Sequence, residues 1–520
     1  MIHRQRHRDH RRDTTTSAIA GHGTRARGLL RGGVAMLLAG GLCACAVGPD
    51  YEKPPLAVPA AWSGGGSATA ARPADLARWW KRLRDPVLDG LVAQAVAGNL
   101  DAAAARARIR EARASYDQAV GGLFPSLDAS ASASRSKSGG PGGSGQASGN
   151  ISNSLRAGLD AGWEVDLFGA NRRTVEAARY GLDAAEEELR ATLLTLIGDI
   201  ATNYVDVRSY QARLALARRT AAAQRATAAL TKAQYEAGAA SGVDLANATG
   251  QAASTEAGIP TLEAALAQAI HRLGVLTGQA PTALSGQLRK SAPVPSPRLP
   301  LPVGVPADIL LARPDVRVAE RQLAQATARI GAAEAARYPA ISLTGNVSTA
   351  GVRLGDLAKN SSISWSFGPS LSVPVFNAGQ LQAAVEAAQA QRDQQFLNLR
   401  ATVLTALEEV ENAIVALAQE RLRYQKLSQA AASYRESARL ARTLFESGST
   451  SFIEVLDAER SLYSAEDALI QSGVNITLHY IALNKALGGG WDGAADAGKP
   501  EIVDRMGPRP AAFLRTAEKK

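Results

Sequence analysis

The chain is poor in the residues from which metal centres, disulfides and His-dependent active sites are built. Only two cysteines and six histidines occur among its 520 residues. If the chain is cut ahead of Cys45, only Cys45, His271 and His479 of these remain, so neither a disulfide nor a His/Cys metal cluster can form within it. The sequence also lacks a Gly-x-Ser-x-Gly elbow, a His-based triad and a nucleotide-binding loop. We therefore expect neither catalysis nor a cofactor, and the alternative from a different class is a periplasmic hydrolase or binding lipoprotein.

Long hydrophobic runs are scarce as well, and aromatic residues make up only 5% of the chain. The N-terminal apolar run, residues 32–44, is shorter than the about 20 residues that a membrane-spanning helix needs. It follows residues 1–31, which carry eight Arg and two Asp, and this charged-then-apolar order is typical of a secretory signal peptide. Because this segment holds six of the ten net positive charges, the rest is only weakly basic, and nucleic acid is not an expected partner.

The apolar run ends on Leu42-Cys43-Ala44-Cys45, which resembles the lipobox of bacterial lipoproteins. Leu and Ala at the third and first positions before Cys45 favour that cysteine, and not Cys43, as the lipid-bearing residue. We predict a lipoprotein signal peptide over residues 1–44 and a lipid-anchored extended linker over residues 45–75. The alternative is an ordinary signal peptide in which both cysteines are incidental small residues.

An internal repeat sets the architecture. Residues 235–238 (YEAG) recur as residues 445–448 (FESG), 210 positions later, and residues 124–127 (FPSL) recur as residues 338–341 (YPAI), 214 positions later. Such near-constant offsets indicate a duplicated unit that reads helix, strand, loop, strand, helix. We predict repeat 1 over residues 76–290, repeat 2 over residues 291–490, and a flexible C-terminal tail over residues 491–520.

Strict period-two alternation marks two strands in each repeat. In residues 154–167 the odd positions are apolar, and the even positions are polar or glycine. The four predicted strands lie near residues 127–135, 154–167, 341–349 and 362–375. Strands of about 10 residues with one apolar face match transmembrane barrel strands, whereas the alternative is a soluble β-sandwich with one solvated face. Four strands are too few to close a barrel, which takes about eight, so a barrel requires several copies of the chain.

Very long helices follow the strand pairs. Residues 380–447 contain neither Gly nor Pro, and a helix of that length spans about 100 Å. A coiled-coil seam runs along it with steps of four and three, through Val403, Leu407, Val410, Ile414 and Leu417. Gly238 and Gly448 are expected to end the two long helices, and helices 243–277 and 453–487 then return in the opposite direction. Each repeat therefore carries a helical hairpin.

These features resemble the TolC-like outer membrane efflux family, in particular its NodT/OprM-like lipoprotein branch. The block LPVGVPADILLARPDVRVAERQLAQATARIGAAEAARYPAISLTG, residues 301–345, is the most specific match. Further matches are the segment CAVGPDYEKP at residues 45–54, Trp79-Trp80, Asp85-Pro86, Leu88 and Asn99. Leu83 departs from the aromatic residue that usually follows the tryptophan pair.

The resemblance implies a mainly α protein with a transmembrane β-barrel and two structural repeats per chain. Its trimer would form a 12-stranded β-barrel, continued by a long α-helical barrel. The implied function is the exit duct of a tripartite RND-type efflux pump, which passively conducts small molecules such as drugs to the exterior. The implied partners are two further copies of the chain, a periplasmic membrane-fusion adaptor, an inner-membrane RND transporter and outer membrane lipid. The implied location is the outer membrane, with a lipid anchor and an extension into the periplasm.

The resemblance also assigns roles to residues near the hairpin turns. A periplasmic gate would be formed by Ile453 and by Asp457 one turn later, where three Asp457 side chains around one axis would repel each other and attract cations. The alternative is that Asp457 is an ordinary solvated carboxylate. The implied adaptor-docking tips are formed by Gly238, Ser241, Val243, Gly448 and Ser451.

Two other functions share this fold or its helices. One is the outer membrane duct of a type I protein secretion system, against which the lipobox and the 301–345 block argue. The other is a non-transporting, envelope-spanning structural lipoprotein, which needs no strands with a polar face. The exported compounds and the paired pump do not follow from the sequence.

Overall fold

The computed structural model describes residues 46–56, 58–59, 62, 76–138, 150–297 and 312–490. The predicted signal peptide, Cys45, the C-terminal tail and residues 301–311 of the signature block lie outside these described residues. The chain divides into two compact units. The strand unit is built from Ser126–Ala170 and Tyr338–Val375, and the helical unit contains the long helices and the segments that pack on them.

Helices dominate the described part of the chain, as predicted. A short 3-10 helix, Trp79–Leu83, precedes them. The α-helices are α1 (Pro86–Gly98), α2 (Leu100–Gly121), α3 (Ala170–Glu236), α4 (Gly242–Leu276), α5 (Ser285–Leu288), α6 (Pro314–Ala335), α7 (Gln380–Glu446) and α8 (Phe452–Ala486). Over the residues described, none of these helices is both long enough and apolar enough to cross a bilayer.

The predicted duplication is confirmed by the element lengths. Helices α3 and α7 each have 67 residues, and helices α4 and α8 each have 35 residues. The bounds of α7 and α8 lie 210 residues after those of α3 and α4. The Val403–Leu417 seam of α7 also finds the neighbour that a coiled coil requires, because Val410 and Leu417 pack with Leu483 of α8.

The strand unit is an antiparallel meander. Its strands are β1 (Ser126–Ser138), β2 (Asn150–Val165), β3 (Ala340–Gly351) and β4 (Ile363–Ser372), paired in the order β1-β2-β3-β4. Two strand ends correct the sequence-based expectation. Strand β2 ends at Val165 instead of residue 167, where the Leu167 amide turns back onto the Val165 carbonyl at 2.8 Å. Strand β4 ends at Ser372 although the alternation continues, because Pro374 has no N–H to donate to a ladder.

Capping residues explain where the short helices begin. The Asp85 carboxylate accepts from the Val87 and Leu88 amides at the start of α1. Asn99 separates α1 from α2, since its Oδ1 accepts from the Ala102 amide at 2.9 Å. Its Nδ2 also donates to the Leu276 carbonyl at 2.9 Å, so one side chain starts α2 and holds the end of α4.

The main core of the helical unit lies around the tryptophan pair. Trp79 packs edge-on against Trp80 and against Tyr480 of α8, with ring centroids 6.1 and 6.0 Å apart. Tyr480 is fully buried and donates its hydroxyl to the Trp79 carbonyl at 3.2 Å. Apolar side chains of α1, α3 and α4 complete this core. The signature tryptophans are therefore packing residues in the described structure.

A buried polar chain lies beside this core. The Tyr204 hydroxyl donates to Asp85 Oδ2 at 2.5 Å and accepts from Arg208 Nε at 3.0 Å. Arg208 also donates to the Lys290 carbonyl at 2.8 Å, so its charge is satisfied inside the unit. Burial, together with the hydrogen bond to Asp85, raises the pKa of the Tyr204 phenol.

Arg313 of the signature block ties α6 to the end of α8. Its Nη1 donates to the Ala486 carbonyl at 2.6 Å, which satisfies a terminal carbonyl of α8. Asp315 and Glu409 pair with its Nη2 at 2.7 and 2.8 Å. Burial alone would lower the pKa of Arg313, but the two carboxylates outweigh it and raise that pKa, so the guanidinium stays charged.

An N-terminal segment packs along the helical unit through its described residues, 48–56, 58–59 and Trp62. Gly48 has a φ of +89° and lies against Gly331 of α6, so close that an added Cβ would meet the Gly331 Cα at 2.4 Å. Arg173 of α3 donates to Asp50 at 2.7 Å and to the Gly48 carbonyl at 3.2 Å. Trp62 is buried against α7 and α8. The segment is thus held by a glycine contact, an ion pair and apolar packing.

We predict that Gly48→Ala loosens this segment. The new Cβ meets backbone atoms of Gly331, and the positive φ costs about 1–2 kcal/mol by itself. The thermal unfolding midpoint should therefore fall, and a Glu-specific protease should cut faster after Glu52. Gly90→Ala is the matched control, because Gly90 lies in α1 with nothing within 4 Å of an added Cβ. It should leave cleavage unchanged and raise helix stability by about 0.4–1 kcal/mol. Equal behaviour of the two variants would contradict the packing described.

A second prediction concerns alkaline stability. Burial raises the pKa of the Tyr480 phenol to about 12, above its unfolded value near 10. The folded state therefore holds this proton more tightly, so the contribution is complete below about pH 10 and is lost as pH rises toward 12. Tyr480→Phe should lose one hydrogen bond at neutral pH. Between pH 9 and 11 its free energy of unfolding, measured by denaturant titration, should fall less than that of the wild type, by roughly 1–2 kcal/mol. Tyr434→Phe, at an exposed position, should retain the wild-type pH profile.

Candidate functional site

The four-stranded sheet has one face that is almost entirely apolar and exposed. In the strand unit Trp365 is 76% exposed and Phe367 is 69% exposed, values unlike those of core residues. The pairing aligns them with other apolar side chains, since Trp365 lies opposite Val347 and Phe367 opposite Gly345. The remaining exposed large apolar residues of this face are Leu127, Ile151, Leu159, Trp163, Val347, Ile363 and Leu371. A continuous apolar face of this kind is suited to contact with an apolar medium or partner.

The opposite face of the same sheet is polar. Asp160 lies at its centre, directly opposite Asp128 on β1 and Asn346 on β3. It accepts hydrogen bonds from Asn346 Nδ2 and, at 3.4 Å, from Ser130 Oγ. Serine pairs such as Ser348 and Ser364, whose hydroxyls are 3.1 Å apart, continue the polar surface. This face is suited to contact with water, so the sheet separates a polar side from an apolar side.

The sheet also has two open edges. Strands β1 and β4 each pair with only one neighbour among the described strands. Their outer backbone N–H and C=O groups therefore have no ladder partner in the single described chain. In an apolar medium each unpaired group costs several kcal/mol, so a lone copy of this sheet is not a stable membrane structure.

The hairpin turns of the helical unit are built alike in both repeats. Gly238 has a φ of +74° and Gly448 a φ of +72°, the left-handed region in which glycine ends a helix without strain. The following helices begin differently. Ser241 forms a capping box with Asp244, whose amide donates to the Ser241 hydroxyl at 3.1 Å, whereas Ser451 makes no such side-chain bond.

Apolar side chains project from both turns. Val243 is 68% exposed and its repeat partner Ile453 is 47% exposed, although each begins an otherwise amphipathic helix. Beneath them, Phe445 and Phe452 pack edge-on at 5.9 Å and are buried with Val455. Both tips thus present an exposed apolar residue, and the second tip also has a buried aromatic base.

Ile453 and Asp457 lie one helical turn apart on the exposed face of α8. The other face, with Val455 and Leu456, is buried against the tip cluster. In the first repeat the position equivalent to Asp457 is Asn247, which is also exposed. The described chain places the two predicted gate residues on one accessible surface, and their role as a gate stays a prediction.

Sequence reasoning missed a charged cluster next to this surface. Glu459 is buried, pairs with Arg442 of α7 and accepts from Thr227 of α3 at 3.3 Å. Arg460 Nε donates to Gln251 Oε1 of α4 at 2.7 Å. Glu459 and Arg460 thereby connect α8 to all three other hairpin helices. The Arg442–Glu459 pair could have been predicted from the hairpin, because the two residues lie at comparable distances on either side of the turn and have opposite charges.

A further ion pair fixes α8 higher along the hairpin. Arg213 of α3 donates to both carboxylate oxygens of Asp467, at 2.8 and 3.3 Å. Two hydrogen bonds to one carboxylate require a defined geometry, so this ion pair sets the register between α3 and α8. A displacement of the α8 tip would therefore have to break or stretch the polar contacts of Glu459, Arg460 and Asp467.

The chain is similar to known proteins over most of its length. The family model described as outer membrane efflux protein matches residues 91–279 and 305–489, one match in each repeat. The curated Nodulation protein T of Rhizobium leguminosarum bv. trifolii is 35% identical over 457 residues, which cover 88% of this chain and 97% of that protein.

Two further likenesses agree with these. The cation efflux system protein CusC of Escherichia coli O6:H1 is 33% identical over 455 residues, covering 86% of this chain and 96% of that protein. The solved structure of the outer-membrane channel OprN is 35% identical with a TM-score of 0.79, and the match covers 86% of this chain and 100% of that one. The chain belongs to the outer membrane efflux protein family, with the TolC-like channel fold.

Proposed function

We propose that this protein is the outer membrane exit channel of a tripartite RND-type efflux pump. Its homologues are outer membrane efflux channels of such pumps. The observation that carries the proposal is the two-faced sheet with open edges, because that sheet suits lipid on one side and water on the other.

The open edges support a homotrimer. Three copies of a four-stranded sheet would supply twelve strands, and pairing β1 of one copy with β4 of the next would leave no edge in the membrane. The apolar face would then lie against lipid, and the face with Asp128, Asp160 and Asn346 would line a water-filled lumen. The lipid on Cys45 belongs to this proposal and would add a second attachment to the membrane.

The helical hairpins are proposed to act at the periplasmic end. Around a threefold axis, Ile453 would narrow the passage and three Asp457 carboxylates would face each other. At about 8 Å, two unit charges repel by about 0.5 kcal/mol in water and about 2 kcal/mol at an effective dielectric constant of 20. The ring would therefore be cation-attracting and sensitive to displacement of α8. Opening would strain the contacts of Glu459 and Arg460 with the other hairpin helices.

The exposed apolar tips are proposed as the docking surface for a periplasmic adaptor. Gly238 and Ser241 of the first hairpin recur as Gly448 and Ser451 of the second, and Val243 is exposed at the first tip, as expected if one adaptor contacts both repeats. The adaptor would connect the duct to an inner-membrane RND transporter that supplies the energy. The duct itself would be passive and not an enzyme, with no cofactor besides the covalent lipid.

The gate proposal predicts a conductance change. In planar bilayers the wild-type trimer should conduct weakly, and Asp457→Ala should raise the single-channel conductance several-fold and reduce its cation selectivity, because the charged ring is gone. Glu408→Ala, which removes an exposed carboxylate from the middle of α7, is the matched control and should behave as wild type. Conductance absent from every variant, also with adaptor present, would favour a structural lipoprotein instead of a duct.

The pore-wall proposal predicts opposite environments for two adjacent residues. Leu159 and Asp160 lie at the same depth on β2 but on opposite faces. Spin labels on Leu159→Cys in proteoliposomes should collide with oxygen, which concentrates in lipid, and labels on Asp160→Cys with a water-soluble nickel complex. Leu155→Cys and Arg156→Cys provide a second pair four residues away on the same strand. Equal water accessibility at Leu159 and Asp160 would contradict the membrane orientation.

A further inference from the structure

The far end of the apolar sheet face carries two cations. On β1 the odd positions from Leu127 to Ala133 belong to the apolar face, and the same alternation places Arg135 and Lys137 on it. Both side chains are exposed. They lie near the β1–β2 loop, at the end of the strand that is remote from the helix connections.

Arg135 and Lys137 lie near the outer end of the apolar band. On β2 the unbroken part of that band runs from Val165 to Leu155, ten residue steps. This is about 33 Å along a strand and about 25 Å when the strand tilts by about 40°. This equals the height of the apolar band of outer membrane barrels, about 25 Å. Arg135 lies opposite Asn153 and Lys137 opposite Ile151, two and four residues beyond Leu155. Arg135 and Asn153 therefore interrupt the apolar band at its outer border, and Lys137 lies at that border beside the exposed Ile151.

The charge distribution between the two faces is one-sided. The carboxylates of the described strands, Asp128, Asp160 and Glu164, occupy even positions and belong to the polar face. Residues 139–149 contain no charged residue in the sequence. In the β3–β4 loop the one carboxylate, Asp356, is bound by Lys359 at 2.7 Å. Within the described part of the chain, no carboxylate neutralises Arg135 or Lys137 on their own face.

The surface below these cations is shallow. The apolar positions of β1 that lead up to Arg135 are alanines, namely Ala129, Ala131 and Ala133. Ala129 and Ala133 pair with the larger Leu159 and Leu155 of β2, whereas Ala131 pairs with Ala157. The alanines of β1 therefore form a low track flanked by two leucines. A track of this shape, which ends at two cations about 7 Å apart, can take an acyl chain with a negatively charged head group.

We propose that Arg135 and Lys137 form a binding site for the phosphate of a phosphorylated lipid in the outer leaflet, whose acyl chain lies along the alanines of β1. The guanidinium can grip a phosphate with two parallel hydrogen bonds, and the ammonium adds a mobile point charge. A trimer carries three such sites. The site rests on the proposed function, because it requires the apolar face to lie in the outer membrane.

The test measures lipid binding to the purified, full-length trimer by native mass spectrometry. The probe is diphosphorylated lipid A, compared with its enzymatically dephosphorylated form. Each of Arg135→Gln and Lys137→Gln should weaken binding about fivefold, and the double variant about 25-fold, as expected for surface cations near anionic lipid. Dephosphorylated lipid should bind all variants equally, and millimolar inorganic phosphate should not displace the lipid.

Arg156→Gln is the matched control, since Arg156 lies on the polar face of the neighbouring strand. It should bind lipid A as the wild type does. Unchanged binding in the double variant, or an equal loss in Arg156→Gln, would overturn the lipid site. Single-channel conductance of the same samples separates the two proposals, because a conducting trimer with unaltered lipid binding refutes only the lipid site, whereas a non-conducting, water-exposed sheet refutes the channel.

Discussion

The open backbone edges of the four-stranded sheet are the constraint on which the rest of the molecule depends. A sheet with an exposed apolar face needs an apolar surrounding, but in that surrounding the free N–H and C=O groups of β1 and β4 are costly. Both requirements are met together only when strands of further copies pair with these edges. Oligomerisation is therefore a consequence of backbone hydrogen bonding, and the side chains decide only which face turns to lipid.

Duplication gives the helical unit two nearly equal hairpins, and the differences between them are where function is expected. Both turns use a left-handed glycine and the paired helices have equal lengths. The first hairpin begins its return helix with a capping box at Ser241, whereas the second lacks that bond at Ser451. The second also carries Asp457 where the first has Asn247. A less firmly capped and more charged turn is better suited to move, since helix ends without caps lose about 1 kcal/mol of stability.

Ion pairs connect the helices of these hairpins. The pairs Arg213–Asp467 and Arg442–Glu459 cross between helices and are partly shielded from water. Ion pairs of this kind contribute register and direction more than net stability. The polar chain from Asp85 through Tyr204 to Arg208, by contrast, lies beside the main core. Both sets of contacts use arginine and carboxylate groups and differ in burial: Arg208 is buried, whereas the Arg442 side chain is 44% exposed.

The sequence alone determined the repeat, the four strands, the two hairpins and their turns, because each depends on local periodicity or on a glycine with positive φ. It also placed Ile453 and Asp457 on one helix face, since a spacing of four residues is enough for that. It did not reveal the Arg173–Asp50 contact, the Gly48–Gly331 contact or the Glu459 cluster. These join residues up to hundreds of positions apart, and only the packing of whole helices brings them together. Local patterns fix each element and its faces, whereas the contacts between elements depend on distances that tertiary structure alone sets.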